Sequence, residues 1–157
     1  EAYATAVERA GLDRWLASSG DPAARERIAE QRRQAAEFTG LLLRARDDLA
    51  TLYASRRSDA ARGAAKAERF EQLREEILAF AERPGASGYA AWADMKLNNA
   101  DLALRATYEQ GTRAFAALLA EYDGDFARFH EAAEALADRG PEARSAFLNS
   151  CRTTACP

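Results

Sequence analysis

Val and Ile are nearly missing from this chain. Val occurs once, at Val7, and Ile twice, at Ile28 and Ile77. β-Branched runs therefore cannot form, and a sheet is excluded as the basis of the fold. Histidine is equally scarce: His130 stands alone, so these residues cannot supply a metal site that takes two imidazoles. There is no Gly-rich phosphate loop or Walker pattern, and no Ser, His and Asp arrangement in a recognisable context. No apolar run reaches the roughly 20 residues of a membrane-spanning helix. Cysteine is confined to Cys151 and Cys156. Those two can pair in an oxidising compartment or remain thiols on a frayed tail, and with a single His in the chain they make a poor zinc signature. Lys is rare beside Arg, but Asp and Glu are interleaved with the arginines. The net charge of -3 and pI near 5.3 weigh against a nucleic-acid partner, whose affinity comes from phosphate neutralisation.

What is present is helical. Ala, Leu, Arg and Glu dominate, the strongest helix formers, and 157 residues are enough for one domain with a real core. A first helix is expected from about Glu1 to Ser18. Its apolar stripe is Val7, Gly11 and Trp15 with Tyr3, Leu12 and Leu16 beside it, and Gly20 is its stop. Asp21-Pro22 restarts a helix, Asp as N-cap and Pro at the first helical position. Ala35, Phe38, Leu42, Ala45, Leu49 and Leu52 then form a heptad-like seam. Ser58 or Asp59 caps a second long helix to about Glu82, with Ala67, Phe70, Leu73, Ile77 and Phe80 on its seam. One continuous helix is the alternative, but the Ser-Asp signal favours a break and an antiparallel hairpin.

Pro84-Gly85-Ala86-Ser87-Gly88 is the clearest loop. Beyond it Tyr89, Trp92 and Met95 are helically spaced, and Leu97-Asn98-Asn99 breaks into a capped helix through Tyr108. Gly111-Thr112 is expected to interrupt or cap the stretch Arg113 to Glu121. Asp123-Gly124-Asp125 is a turn with a cap, Phe126, Phe129, Ala133 and Leu136 continue as helix, and Gly140-Pro141 opens a last short one. The expected architecture is all-α: one helical domain over 1–157, made of an N-terminal helix (1–20), a long antiparallel helical hairpin (21–83), a loop (84–88) and several shorter C-terminal helices (89–157).

No complete catalytic set is found among these residues. His130, beside Phe129, reads as a core-edge or surface histidine. Glu71 and Glu75 fall among arginines and read as a solvated face. The opening run Glu1-Ala2-Tyr3-Ala4-Thr5-Ala6-Val7-Glu8 is distinctive, because small residues surround carboxylates at Glu1 and Glu8, with Thr5 one helical turn from both. Small residues let another element approach closely. The chain begins in mid-pattern, which leads to the expectation of further residues upstream.

That run, followed by Gly11-Leu12 and Arg14-Trp15-Leu16, resembles a stretch of the bacterial predicted-aminopeptidase family, whose members are zinc-peptidase-like and grouped with the gluzincins. There an HExxH helix is followed, after a short connection, by Asn-Glu-(small)-Phe-Ala-Thr-x-Val-Glu. The later runs Tyr89-Ala90-Ala91-Trp92, Leu97-Asn98-Asn99-Ala100, Ala106-Thr107-Tyr108 and Gly124-Asp125-Phe126 with Phe129 resemble the family in order and approximate spacing. The long hairpin resembles it only in composition. The resemblance implies a Zn²⁺ held by two His of HExxH and a Glu on a following helix, with the HExxH Glu as general base on metal-bound water. By motif position Glu1 matches the downstream zinc-ligand Glu. Thr5 and Glu8 fall where groups supporting that ligand would stand, and Asn98, Asn99 and Tyr108 are candidates for lining a substrate cleft. HExxH is not in this chain. The resemblance therefore implies zinc only in a longer protein, with the upstream part as partner, a peptide as substrate, no catalytic base among these residues, and no activity for this stretch alone. It also implies the bacterial envelope, where Cys151 and Cys156 could pair. A reading of another class stands beside it: a non-enzymatic helical interaction module that uses the hairpin seam to bind a partner helix or to self-associate.

Overall fold

The computed structural model describes residues 1–151. It is all-α over that range. The helices are α1 (Ala2–Ser19), α2 (Pro22–Ala54), α3 (Asp59–Ala81), a 3-10 helix (Ser87–Asp94), α4 (Asn99–Glu121), α5 (Phe126–Asp138) and α6 (Pro141–Asn149). They gather into two compact units. One comprises Glu26–Ala106; the other joins Glu1–Arg25 to the described residues from Thr107 onward. The loop 84–88 lies within the first of these, and the units divide inside α2 and α4 rather than at that loop.

The unit Glu26–Ala106 is built on an antiparallel hairpin. Ser58 has extended backbone and its hydroxyl accepts from the Ala61 N–H, capping α3 and so separating it from α2. Partners across the hairpin run in opposite directions. Asp48 accepts from Arg69 Nε at 2.8 Å, Glu37 pairs with Arg83, and Gln34 Nε2 donates to the Pro84 carbonyl at 3.0 Å. The seam residues Phe38, Leu42, Ala45 and Leu49 are buried with Leu73, Ile77 and Phe80, and Leu52 and Phe70 are partly buried against them. Ala86 and Ala93 of the following segment join that core. Ala35 and Ala67, expected on the seams, are exposed. Phe38 is the hub, with ring centroids 4.4 Å from Tyr89, 5.3 Å from Trp92 and 5.6 Å from Phe80. The seam is thus filled from within the chain.

Two expected features differ. Tyr89, Trp92 and Met95 lie on or just after a 3-10 helix, not an α-helix. An interval of three residues suits 3.0 residues per turn as well as one face of 3.6. Gly111-Thr112 does not interrupt anything: α4 runs unbroken from Asn99 to Glu121.

In the other unit, Gly20 at φ 68° ends α1, the left-handed conformation glycine adopts without steric cost. Asp125 caps α5, its carboxylate accepting from the Ala127 and Arg128 N–H groups. Phe129 is fully buried, and Phe115 lies edge-on to both Phe129 and Phe147. Ala6 and Leu16 are the buried positions of α1, whereas Trp15, expected on its apolar stripe, is 61 % exposed. Cys151 is buried and disulfide-bonded; Cys156 lies outside the described residues. No helix among the described residues is long and apolar enough to cross a membrane.

Candidate functional site

The first turn of α1 is exposed at Glu1 yet held from two sides. On one side Ala2 meets α4 at Gly111. A Cβ placed on Gly111 would stand 2.8 Å from the Ala2 Cβ and 3.2 Å from Leu148 Cδ2. Only glycine permits that approach, and it seats the start of α1 on the Tyr108–Thr112 turn of α4. On the other side Tyr3 stacks on Phe129 (centroids 5.5 Å apart, planes 8° apart) and meets Phe115 edge-on at 5.5 Å. Aromatic pairs of this kind contribute about 0.5–1.5 kcal/mol each beyond the area they bury. The Tyr3 hydroxyl completes the clamp with a short hydrogen bond to His130 Nδ1. His130 is therefore the exposed partner of a tyrosine.

This crossing brings two of the expected site residues together. Hydrogen-bonding interaction with Glu1, some desolvation and the negative charge of Glu1 push the Tyr108 phenol above its usual range, since each favours the protonated form. Thr112 is buried and its hydroxyl donates to the Tyr108 carbonyl at 2.9 Å, fixing the turn that carries the phenol. Glu1 also closes the first turn of α1, its carbonyl accepting from the Thr5 N–H at 3.0 Å. Thr5 is half-buried and Glu8 exposed.

Asn98 and Asn99 belong to the other unit and have local tasks there. Asn98 caps α4: its side-chain oxygen accepts from the Ala100 N–H at 2.8 Å, while Asp101 accepts from the Asn98 N–H at 2.9 Å. This is the reciprocal arrangement of a capping box. Asn99 Nδ2 donates to the Tyr53 hydroxyl at 2.8 Å, beside a cavity of about 210 Å³ lined by Arg46, Leu49, Ala50, Tyr53, Asn99 and Leu102.

Sequence reasoning missed the Tyr3–His130 bond and the role of Gly111. Tyr3 and His130 are 127 positions apart, so no local periodicity joins them. The signal that did exist was the cluster of small residues around Ala2 and Ala6, which foretold a close approach but not its partner.

Zinc takes three or four deprotonated N, O or S donors. Among the described residues no three His, Cys, Asp or Glu side chains gather for a metal. These residues do not make a zinc site by themselves, and Glu1 offers one exposed carboxylate donor.

The described fold is all-helical and presents an exposed carboxylate at a glycine-dependent helix crossing. The chain belongs to the family described as "Putative aminopeptidase", whose model matches residues 1–148. No curated protein and no solved structure matches it.

Proposed function

We propose that this chain is the helical, C-terminal part of a zinc-dependent peptide hydrolase, and that Glu1 supplies one ligand to the metal. Membership of the aminopeptidase family over residues 1–148 carries the reading. The exposure of Glu1 on an anchored helix start agrees with it. In the proposal the remaining ligands and the general base come from an HExxH segment upstream in a longer protein. Zinc there would lower the pKa of a bound water and polarise the scissile carbonyl. A carboxylate suits the Glu1 position because it offsets the metal's charge while leaving a coordination position for water. Thr5 and Glu8 share the helix of Glu1 and steady its surroundings, and Tyr108 contributes to the wall that receives the peptide. The disulfide at Cys151 suits an oxidising compartment such as the bacterial envelope.

Zinc stoichiometry of the protein carrying its natural upstream residues tests the reading. One tightly bound zinc, lost in Glu1→Gln, is the expected result. A folded protein without zinc would leave the interaction-module reading.

A further inference from the structure

The unit Glu26–Ala106 holds a cavity of about 210 Å³ that its own side chains leave unfilled. Arg46, Leu49, Ala50 and Tyr53 line it from α2, and Asn99 and Leu102 from the first turn of α4. The α2 residues follow the i, i+3, i+4, i+7 spacing and so share one face of that helix. Leu49 and Leu102 are 3 % and 1 % exposed and form the floor, while Tyr53, 43 % exposed, stands at the mouth with Asn99. A cavity of about 150 Å³ with apolar walls is enough to admit benzene, so this one has room for a single ring or a branched aliphatic group. Two of the polar groups around it are donors. The Tyr53 oxygen accepts from Asn99 Nδ2 at 2.8 Å, which leaves the phenol proton to be donated elsewhere. Arg46 has only donors to offer. Its neighbour Asp47, at 3.0 Å, is 69 % exposed, and a surface pair of that sort contributes little. An apolar floor beneath two donors, one of them charged, is the complement of a carboxylate carried on a compact apolar body.

We propose that this cavity binds a small organic carboxylate: its aromatic or branched aliphatic body enters between Leu49, Ala50 and Leu102, and its carboxylate meets the Arg46 guanidinium and the Tyr53 O–H. The same chemistry is offered by a free aromatic acid and by the C-terminal residue of a peptide that ends in an apolar side chain. Binding needs no proton transfer, since a carboxylic acid is already ionised at neutral pH. The site uses neither Glu1 nor Tyr108 and does not depend on the zinc reading.

The test is an NMR titration of the full-length protein with three probes: 3-phenylpropionate, its neutral amide 3-phenylpropanamide, and an N-acetylated dipeptide ending in Phe with a free carboxylate. Saturable binding of 3-phenylpropionate is expected. The affinity should fall about 10–100-fold for the amide, and for the acid in Arg46→Gln, the range for losing a hydrogen bond to a charged group. Ala50→Leu fills the cavity from an exposed helix position and should abolish binding with the melting temperature unchanged. Binding of the dipeptide as well would assign the site to peptide C termini, and binding of 3-phenylpropionate alone to free acids; either supports the proposal. No saturable binding of 3-phenylpropionate or the dipeptide at millimolar concentration would overturn it. Affinity untouched by both Arg46→Gln and Ala50→Leu would place the ligand elsewhere, and equal affinity for acid and amide would remove the carboxylate from recognition; each would likewise overturn it.

Discussion

The two units of this chain solve helix packing by opposite means. In Glu26–Ala106 large side chains interlock: Phe38, Leu42 and Leu49 from α2 meet Leu73, Ile77 and Phe80 from α3, with the rings of Tyr89 and Trp92 closing on Phe38. Charged groups there serve the hairpin. Arg69, only 12 % exposed, reaches Asp48 and Glu76 at 2.8 and 3.3 Å. In the other unit, α1 and α4 meet through Ala2 and a glycine, and the contact leaves room at its edge for polar pairs, Glu1 with Tyr108 and Tyr3 with His130. Interlocked large residues fill space and give stability. A small-residue crossing brings two backbones close and sets polar side chains beside each other. The chain separates the two tasks.

The sharpest way to break this contrast is to remove bulk where bulk is said to matter. Phe38→Ala should cost about 3–5 kcal/mol in denaturant unfolding, the range for a buried aromatic whose neighbours cannot fully collapse. A cost under about 1 kcal/mol would deny Phe38 its central place. The complementary change adds bulk where none fits. Gly111→Ala drives a methyl to 2.8 Å from Ala2 and should cost about 1–3 kcal/mol, despite the better helix propensity of Ala. Gly63→Ala, in α3 with nothing within 4 Å of the new methyl, should instead stabilise by about 0.5–1 kcal/mol. Equal effects at Gly111 and Gly63 would erase the claim that one glycine is a contact and the other only a helix residue.

The smallest effect expected is spectroscopic. Because Tyr108 ionises above its usual range beside Glu1, Glu1→Ala should lower the pKa of that phenol in an ultraviolet tyrosinate titration. The sign follows from linkage. A phenol whose pKa is raised in the folded state adds stability that is fully present below its unfolded value, near pH 10, and is lost as pH rises through the folded value. Wild type should therefore lose slightly more stability than Glu1→Ala across that alkaline range. An unmoved titration would remove the pair.

Much of the fold was legible because it is written at short range. The seams Phe38–Leu49 and Leu73–Phe80, the Ser58 break, the Gly20 stop and the Asp125 cap each depend on residues within a few positions of one another. Gly111 was misread for a physical reason. Glycine inside a helix costs about 1 kcal/mol against Ala, so sequence alone reads it as an interruption, whereas here the missing Cβ is what admits Ala2. Trp15 was misplaced because an apolar stripe at helical spacing does not say which of its members finds a partner. Of the candidate site, Glu1 and Tyr108 were named only through resemblance to a family motif. Their proximity was not legible, because 106 residues of chain lie between them and the crossing that joins α1 to α4 is tertiary.

The account turns on whether Glu1 is a metal ligand. Zinc content of the metal-loaded full-length protein, measured beside Glu1→Gln, addresses it most directly. The account predicts about one zinc per chain in the wild type and a large loss in the variant, with the helical fold retained in both. Equal zinc in the two proteins, or none in the wild type, would contradict it.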